Sequence, residues 1–478
     1  MLRGATASRR RLSALLATTL ALIVAGLVAP STAQQPPSPP NVVLIVVDDM
    51  RWDEATVPTA LGETLPASYL PTIRSELIAQ GFSARNAFVT NSLCCPSRAS
   101  ILTGNHSHTT GVWNNQNSLG RGGFASFRPR EGSTLATWFD AAGYRTGLVG
   151  KYFNGYNEMS HVPGGWDRWV AFQASSIGYY AYSLSIDGAR RAYGSAPADY
   201  STDVLAEHAT SFITSTPADT PLFMMFTPYA PHDPYTPAPR HTTLFSTFKP
   251  TAPPNLDEAN VSDKPAWVRR LPTTGGFYAS SKRDRMRTLM AVDEAVADII
   301  AALSDSGRLQ NTIIVFMSDN GQSSGSHRWI SKKTPWEESI RIPLIVRGPG
   351  IPAGVLGNAI MLNVDIADTL ESLTGVAVPA TEGVSFASLL QGGQTPVHDS
   401  FVLERLVDST DPPSYCGLRT TRYKYVRYST GEEELYDLSA DPWELRSRHA
   451  AASFASIKAE LKATTKTLCS PPPPGYRW

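Results

Sequence analysis

"NVVLIVVDD" spans residues 41 to 49, and its reading decides the architecture. Six aliphatic residues, Val42 to Val47, run without interruption and end on Asp48 and Asp49. A strand apolar on both faces must be covered on both, as in a parallel sheet between helical layers. "TIIVFMSDNG" (312 to 321) repeats the pattern and ends on Asp319 and Asn320. Between the two, helical and extended segments alternate. "LPTIRSELIAQG" (70 to 81) predicts a helix closed by glycine, with "FSARNAFVT" extended after it. "STLATWFDAAGYRTGLVGKY" predicts a helix capped by Ser133, a stop at Gly143 and a strand ending near Lys151. "DVLAEHATSFITS" and "PLFMMFTPYAPH" give the next helix and strand. Met286, Leu289, Val292, Val296, Ile299 and Leu303 keep helical spacing, so the longest helix is predicted over 281 to 305. The alternation predicts an α/β fold with a mostly parallel central sheet sandwiched by helices.

In such sheets ligands bind beyond the carboxyl ends of the strands. Asp48, Asp49, Lys151, His232, Asp319 and Asn320 all fall there. After about residue 395 the texture changes. "YCGLRTTRYKYVRYSTGEEELYDLSADPWE" alternates around an "STGE" turn and predicts an antiparallel hairpin, with a helix over 450 to 466. The organisation read from the chain is therefore a larger α/β domain over 41 to 394 and a smaller subdomain over 395 to 478. The Pro-rich stretch 231 to 273 reads as a long irregular loop over one end of the sheet.

The 478 residues balance 42 Lys and Arg against 42 Asp and Glu. No basic stripe appears, which argues against nucleic acid as a partner. "MLRGATASRRRL" followed by the apolar stretch Leu12 to Ala29 and Ser31-Thr32-Ala33 reads as an export signal over 1 to 33. "SRRRLS" also resembles a twin-arginine signal. "QQPPSPP" closes a Pro-rich leader over 34 to 40. The apolar stretch is shorter and weaker than the roughly 20 residues of a membrane anchor, so a secreted or cell-envelope location without a stable anchor is expected. Export permits disulfides, and four cysteines allow three full pairings that sequence cannot choose between. Cys416 and Cys469, both near the C-terminus, are candidates to staple that region.

Asp48, Asp49, Asp319 and Asn320 form an oxygen-only donor set, which suits Ca²⁺ or Mg²⁺ better than zinc. A lone acidic pair after a strand is more often a loop start; two such pairs at equivalent strand ends are a stronger signal. "NSLCCPSRASILTG" (91 to 104) is the second chemical feature. Pro96 fits the first turn of a helix over 96 to 103, ended by Gly104. Cys94 would then sit just before a helix N-terminus, where a thiol has a lowered pKa and can act as a nucleophile. A vicinal disulfide or two buried structural cysteines is the plainer reading.

Cys94-Cys95-Pro96-Ser97-Arg98 with Leu102-Thr103-Gly104 resembles the signature of the type I sulfatases of the alkaline phosphatase superfamily. The resemblance runs from "LIVVDDMR" through "SDNG" to "ELYDLSADPWE", and is greatest to the branch of N-acetylglucosamine-6-sulfatases, which share "CCPSR" and "GKYxN". It implies that Cys94 becomes formylglycine (3-oxoalanine), installed by a formylglycine-generating enzyme, while Cys95 is a variable, buried position. Hydrated, that aldehyde is a geminal diol: one hydroxyl attacks sulfur and the other expels the sulfate, splitting one hard step into two. The resemblance makes Asp48, Asp49, Asp319 and Asn320 ligands of Ca²⁺, or Mg²⁺, with the Cys94-derived oxygen as a further ligand. Arg98 stabilises the hydrate. Lys151 and Lys332 bind the sulfate, with Lys333 as the rival of Lys332. His232 contacts the ester and protonates the leaving alcohol. His327 is a substrate contact by proximity alone, at even weight with a structural role, and His108 is a weaker candidate. Many arylsulfatases carry a histidine two residues after the lysine; here Phe153 stands there.

The function this implies is hydrolysis of a sulfate ester of a sulfated small molecule or saccharide. A phosphodiesterase or phosphonate monoester hydrolase using the same site is the alternative. A non-catalytic, calcium-bound carbohydrate-binding protein is the reading from another class, and it requires an unmodified Cys94.

Overall fold

The computed structural model describes residues 39–54, 65–116, 120–408 and 411–478. The expected signal over 1 to 33 and most of the leader lie outside the described residues.

The main sheet is built from β1 (Asn41–Val47), β2 (Phe82–Phe88), β3 (Arg145–Gly150), β4 (Arg168–Phe172), β5 (Ser183–Ile186), β6 (Ala189–Ala192), β7 (Leu222–Thr227), β8 (Thr312–Ser318), β9 (Arg341–Ile342), β10 (Leu344–Arg347) and β11 (Val355–Leu362). Its order is β11-β2-β10-β8-β1-β7-β3-β4-β5-β6, with β9 paired to β2. The centre, β8-β1-β7-β3-β4, is parallel throughout, and antiparallel strands flank it on both sides. This is the mostly parallel sandwich that the apolar runs imply.

β1 shows why the run had to be apolar on both faces. Val43, Ile45 and Val47 pack into one core with Met286, Leu289 and Val292 of the long helix Phe277–Asp305. Val42, Leu44 and Val46 pack into another with Leu102, Leu135, Phe139 and Leu370 from the opposite helical layer. Each such side chain contributes roughly 1.5–3 kcal/mol when fully buried, so both layers clamp the same strand.

Several element ends differ from the sequence reading. The segment before β2 is a π-type turn, Ile73–Ile78, in which the Ala79 N–H reaches back to the Arg74 carbonyl. The helix Leu135–Ala141 is capped at Thr134, not Ser133: the Thr137 hydroxyl accepts the Thr134 N–H, while the Ser133 hydroxyl accepts the Trp138 indole. The long helix starts four residues before 281. The helix of the cysteine pair begins at Cys94 itself, runs Cys94–Thr103 and stops at Gly104, whose φ of 67° is left-handed.

Beyond residue 395 the chain forms β12 (Ser400–Arg405), β13 (Tyr415–Thr420), β14 (Tyr423–Tyr428) and β15 (Glu433–Asp437), an antiparallel sheet of four strands rather than a single hairpin. The helix Ala455–Leu468 follows it. Cys416 on β13 and Cys469 after this helix form a disulfide closing a separation of 53 residues. In the chain-entropy account a loop of that size is worth about 4 kcal/mol. Reduction is expected to lower the melting temperature. Equal melting with and without reductant would count against that contribution. No helix among the described residues is long and apolar enough to cross a membrane.

Candidate active site

β8, β1, β7 and β3 are neighbours in the sheet, and each delivers a polar residue just past its carboxyl end. Asp319 and Asn320 follow β8, Asp48 and Asp49 follow β1, His232 lies in the loop after β7, and Lys151 follows β3. The loop after β2 adds the Cys94 helix. Asp48, Asp49, Cys94, Asp319 and Asn320 are all buried, and His232 is half-buried.

The contacts form one network. Cys94 Sγ lies 3.5 Å from Asp48 Oδ1, 3.8 Å from Asp49 Oδ1 and 2.8 Å from Lys332 Nζ. Lys332 Nζ donates to both Asp49 oxygens at 2.5 and 2.7 Å. Lys151 Nζ donates to Asp48 Oδ2 at 2.5 Å. Arg98, one helical turn after Cys94, donates Nε to Asp319 Oδ2 at 2.8 Å and Nη1 to the Lys151 carbonyl at 2.9 Å. Asn320 Nδ2 donates to Asp49 Oδ1 at 2.7 Å, and its own Oδ1 is buried with no donor. His232 Nδ1 is 2.8 Å from the Asp233 carbonyl, which turns Nε2 toward Asp49 Oδ2 at 3.6 Å. Asp48, Asp49, Cys94 and His232 each offer a ligand atom within 4.8 Å of the others.

Electrostatics explain how three buried carboxylates coexist. Burial alone would push Asp48 up, but Lys151, His232, Arg98 and Lys332 outweigh it and hold the group well below the carboxylate range. Asp49 is lowered in the same way, chiefly by Lys332 against its burial. Asp319 goes the other way, to about 6, because burial and the Asp48 charge exceed the pull of Arg98 and Lys151. Three carboxylates, Asp48, Asp49 and Asp319, thus face three cations, Arg98, Lys151 and Lys332. A divalent cation would leave this pocket two charges positive, a surplus that favours a bound anion. The all-oxygen donor set and the orphaned Asn320 oxygen fit a hard divalent cation.

The thiol is not primed as expected from its helix position. Burial pushes Cys94 well above the ordinary thiol range, and Lys151 and Lys332 offset only part of that. A free thiolate nucleophile is therefore disfavoured here. Cys95 is buried too; its sulfur accepts the Asn154 N–H at 3.3 Å. Neither thiol is in a disulfide.

Two rival assignments are separated by geometry. Lys333 turns away to Asp408 at 2.8 Å, leaving Lys332 in the network. Phe153, two residues after Lys151, stacks on Phe127 at 4.2 Å inside an aromatic cluster. A cleft of about 60 Å³ opens beside Lys151 and His232, walled by Phe153, Phe172, Ile177 and Tyr229.

His327 is not brought to this network, contrary to the substrate contact read from its proximity to Lys332. It is fully buried, with Nδ1 2.6 Å from Glu258 and Nε2 accepting from Asn255 Nδ2 at 3.1 Å. Burial, then Lys264, lowers its pKa to about 3. His108 is likewise held elsewhere, between Glu404 and Glu382 at 2.8 and 3.2 Å.

Around His327 lies a second acidic cluster with Glu258, Glu338 and Glu444. Glu444 accepts from Lys424 at 2.7 Å and from the Glu337 N–H at 2.8 Å, and Glu338 Oε1 accepts from Asn255 Nδ2 at 2.6 Å. Burial raises Glu258 to about 7 against Lys264, and Glu444 to about 8 against Lys424. Both folded values lie above the ordinary 4.5, so the fold favours the protonated acids. That stability is complete below about pH 4.5 and is lost as pH rises through 7 and 8. His327, held at about 3, opposes this below about pH 6.5, so the melting temperature is expected to fall between about pH 6.5 and 8, and Glu258→Gln with Glu444→Gln to flatten the decline. Parallel slopes for parent and variant would refute it.

Sequence reading also missed Arg51, Glu54, Arg285 and Gln322, all buried behind the carboxylates. Charged residues on a helix or after a strand are usually solvated, and nothing in their spacing marks these as different.

Residues 40–376 match the family described as Sulfatase, and residues 325–470 match the C-terminal region of N-sulphoglucosamine sulphohydrolase. The chain is 32% identical over 414 residues to N-acetylglucosamine-6-sulfatase of Capra hircus, covering 76% of this chain and 74% of that protein. It is 33% identical over 354 residues to an extracellular sulfatase, the SULF-1 homolog of Drosophila melanogaster, covering 72% of this chain and 31% of that protein. A solved structure of a protein in complex with its substrate D-glucosamine-2-N,6-O-disulfate matches with a TM-score of 0.78 at 25% identity, covering 91% of this chain and 98% of that one.

Proposed function

The chain belongs to the sulfatase family and is a sulfuric ester hydrolase, and from that premise we propose that it removes sulfate from a sulfated sugar at a formylglycine made from Cys94. One observation carries the reading: Cys94 is buried between Lys332, Asp48 and Asp49, at the start of a helix, in a pocket whose cations suit a tetrahedral anion. The Cys94 sulfur marks where the aldehyde-derived oxygen would be.

When formed, the hydrated aldehyde supplies two hydroxyls on one carbon, one to attack sulfur and one to release the sulfate. A divalent cation, Ca²⁺ or Mg²⁺, would be held by Asp48, Asp49, Asp319 and Asn320 and would supply Lewis acidity. The rest falls to the chain. Lys151 and Lys332 neutralise the ester's sulfate oxygens and orient it for in-line attack. Arg98 fixes Asp319 and, through the Lys151 carbonyl, the strand end that carries Lys151. His232, with Nδ1–H on the Asp233 carbonyl, offers Nε2 to the cleft and gives the leaving alcohol its proton. Phe172, Ile177 and Tyr229 give the cleft an apolar wall suited to the C–H face of a sugar ring.

In the same reading residues 41–394 carry the chemistry, and the subdomain 395–478 props the segment that bears Lys332. Ion pairs from Glu337 to Lys424 and Arg419, and from Lys333 to Asp408, tie that segment to residues 395–478. Maturation requires a formylglycine-generating enzyme, and the N-terminal signal exports the protein; the similarity to an extracellular sulfatase supports the latter.

Mass analysis of the tryptic peptide spanning Cys94, in fully active material, tests the proposal. An aldehyde in place of the thiol is expected, and an intact thiol at full specific activity would end it. The same preparation should turn over an aryl sulfate faster than an aryl phosphodiester; a preference of more than about tenfold for the diester would reassign the substrate.

A further inference from the structure

Arg285 is fully buried within the long helix, and the chemistry above makes no use of it. Its Nη2 donates to the Asp49 carbonyl at 2.5 Å and to Glu54 Oε2 at 2.5 Å, and Nε donates to Glu54 Oε1 at 2.5 Å. Nη1 donates to the side-chain oxygen of Gln322. Gln322 in turn gives its amide to the Tyr235 hydroxyl at 3.0 Å, and the Tyr235 ring centre lies 5.5 Å from the guanidinium carbon. One side chain thereby touches the loops after β1, β7 and β8. Those loops carry Asp49, His232, and Asp319 with Asn320.

Asp49 needs such an anchor. Its φ of 68° is left-handed, a conformation that non-glycine residues hold only when their surroundings impose it. The Asp49 N–H is fixed on Asp319 Oδ1 at 3.1 Å, and the next N–H, of Met50, on Ser318 Oγ at 2.8 Å. Arg285 takes the carbonyl, which completes the hold on both sides of the peptide. A planar fork with five donors can serve Glu54, Gln322 and a carbonyl at once; a lysine ammonium on a flexible stem cannot.

We propose that Arg285 is a positioning residue for the cation site: it pins the Asp49 carbonyl so that the carboxylate faces Asn320 and Cys94, and ties this arrangement through Gln322 to the His232 loop. The inference rests on the reading of Asp49 as a metal ligand.

The test is calcium binding to the chelator-stripped full chain by calorimetry, with kcat and KM measured at saturating calcium. Arg285→Lys keeps a charge against Glu54 but loses the fork. Its calcium dissociation constant is expected to rise about 10- to 100-fold, with kcat recovered once calcium saturates. A merely structural defect would depress kcat at every calcium concentration without rescue. Should Arg285→Lys not fold, Gln322→Leu carries the test, since it removes one arm and leaves the Glu54 pair; a rise of several-fold in the same constant is expected. Unchanged calcium affinity in the folded variants overturns the role of Arg285. A parent chain that itself binds no calcium sinks the underlying reading of the site instead.

Discussion

Cys94→Ala is expected to fold normally and to lose turnover by on the order of 10⁴- to 10⁶-fold, the range seen when an enzyme's nucleophile is removed. The two effects separate because they depend on different properties of one small side chain. Shortening the side chain to a methyl group removes a weak acceptor from Lys332, which keeps both Asp49 oxygens as partners. The helix retains Pro96 in its first turn and its left-handed stop at Gly104. The melting temperature should therefore shift by no more than about 1 kcal/mol of stability implies. The chemistry has no substitute: Cys95 faces Asn154, not the carboxylates. Rates on an aryl sulfate at wild-type level would dismiss the mechanism, whatever the stability.

Asp319→Ala is the second large effect, and it should remove cation binding and activity together. Two opposing terms decide its stability. The substitution breaks the 2.8 Å pair with Arg98, yet it also removes a carboxylate that burial and Asp48 make costly to ionise. The substitution also strips the buried Asp49 N–H of its acceptor and leaves Arg98 without its nearest carboxylate, so the cation-free variant is expected to be less stable than the cation-free parent. In the loaded protein the balance differs. A cation at a thousand times its dissociation constant stabilises the fold by about 4 kcal/mol, and that increment should vanish in the variant. The parent's melting temperature should rise on adding calcium, while the variant's should stay where it is without calcium. Activity should fall about 10³-fold, corresponding to several kcal/mol of lost charge stabilisation. A variant that still gains stability from calcium would show that Asp319 is not a ligand.

The parts of the site legible in the sequence are those where backbone and chemistry speak together. Apolar runs ending in acids place Asp48, Asp49, Asp319 and Asn320 at strand ends, because a strand buried on both faces has to stop where charge begins. Pro96 and Gly104 bracket the cysteine helix through backbone rules alone. Proximity along the chain proved a poor guide: His327 lies five residues before Lys332 yet is taken up by Glu258 and Asn255. Arg285 was illegible for the opposite reason. It sits in an amphipathic helix among residues that alternate between core and solvent, and only the fold shows that this arginine points inward to Asp49. The helix cap at Thr134 and two of the four C-terminal strands were missed because neighbouring threonines and serines, or short mixed runs, satisfy several local arrangements equally well.

The burial of Cys94 imposes an order of events on the life of the protein. With no exposed surface and Lys332, Asp48 and Asp49 closed over it, the sulfur is out of reach of any second enzyme once the sheet has formed. On the proposed reading, conversion therefore precedes folding, and folding seals in whichever side chain is present at that moment. Protein that matures unconverted would be a permanent by-product, indistinguishable by shape and beyond later repair unless it is first unfolded.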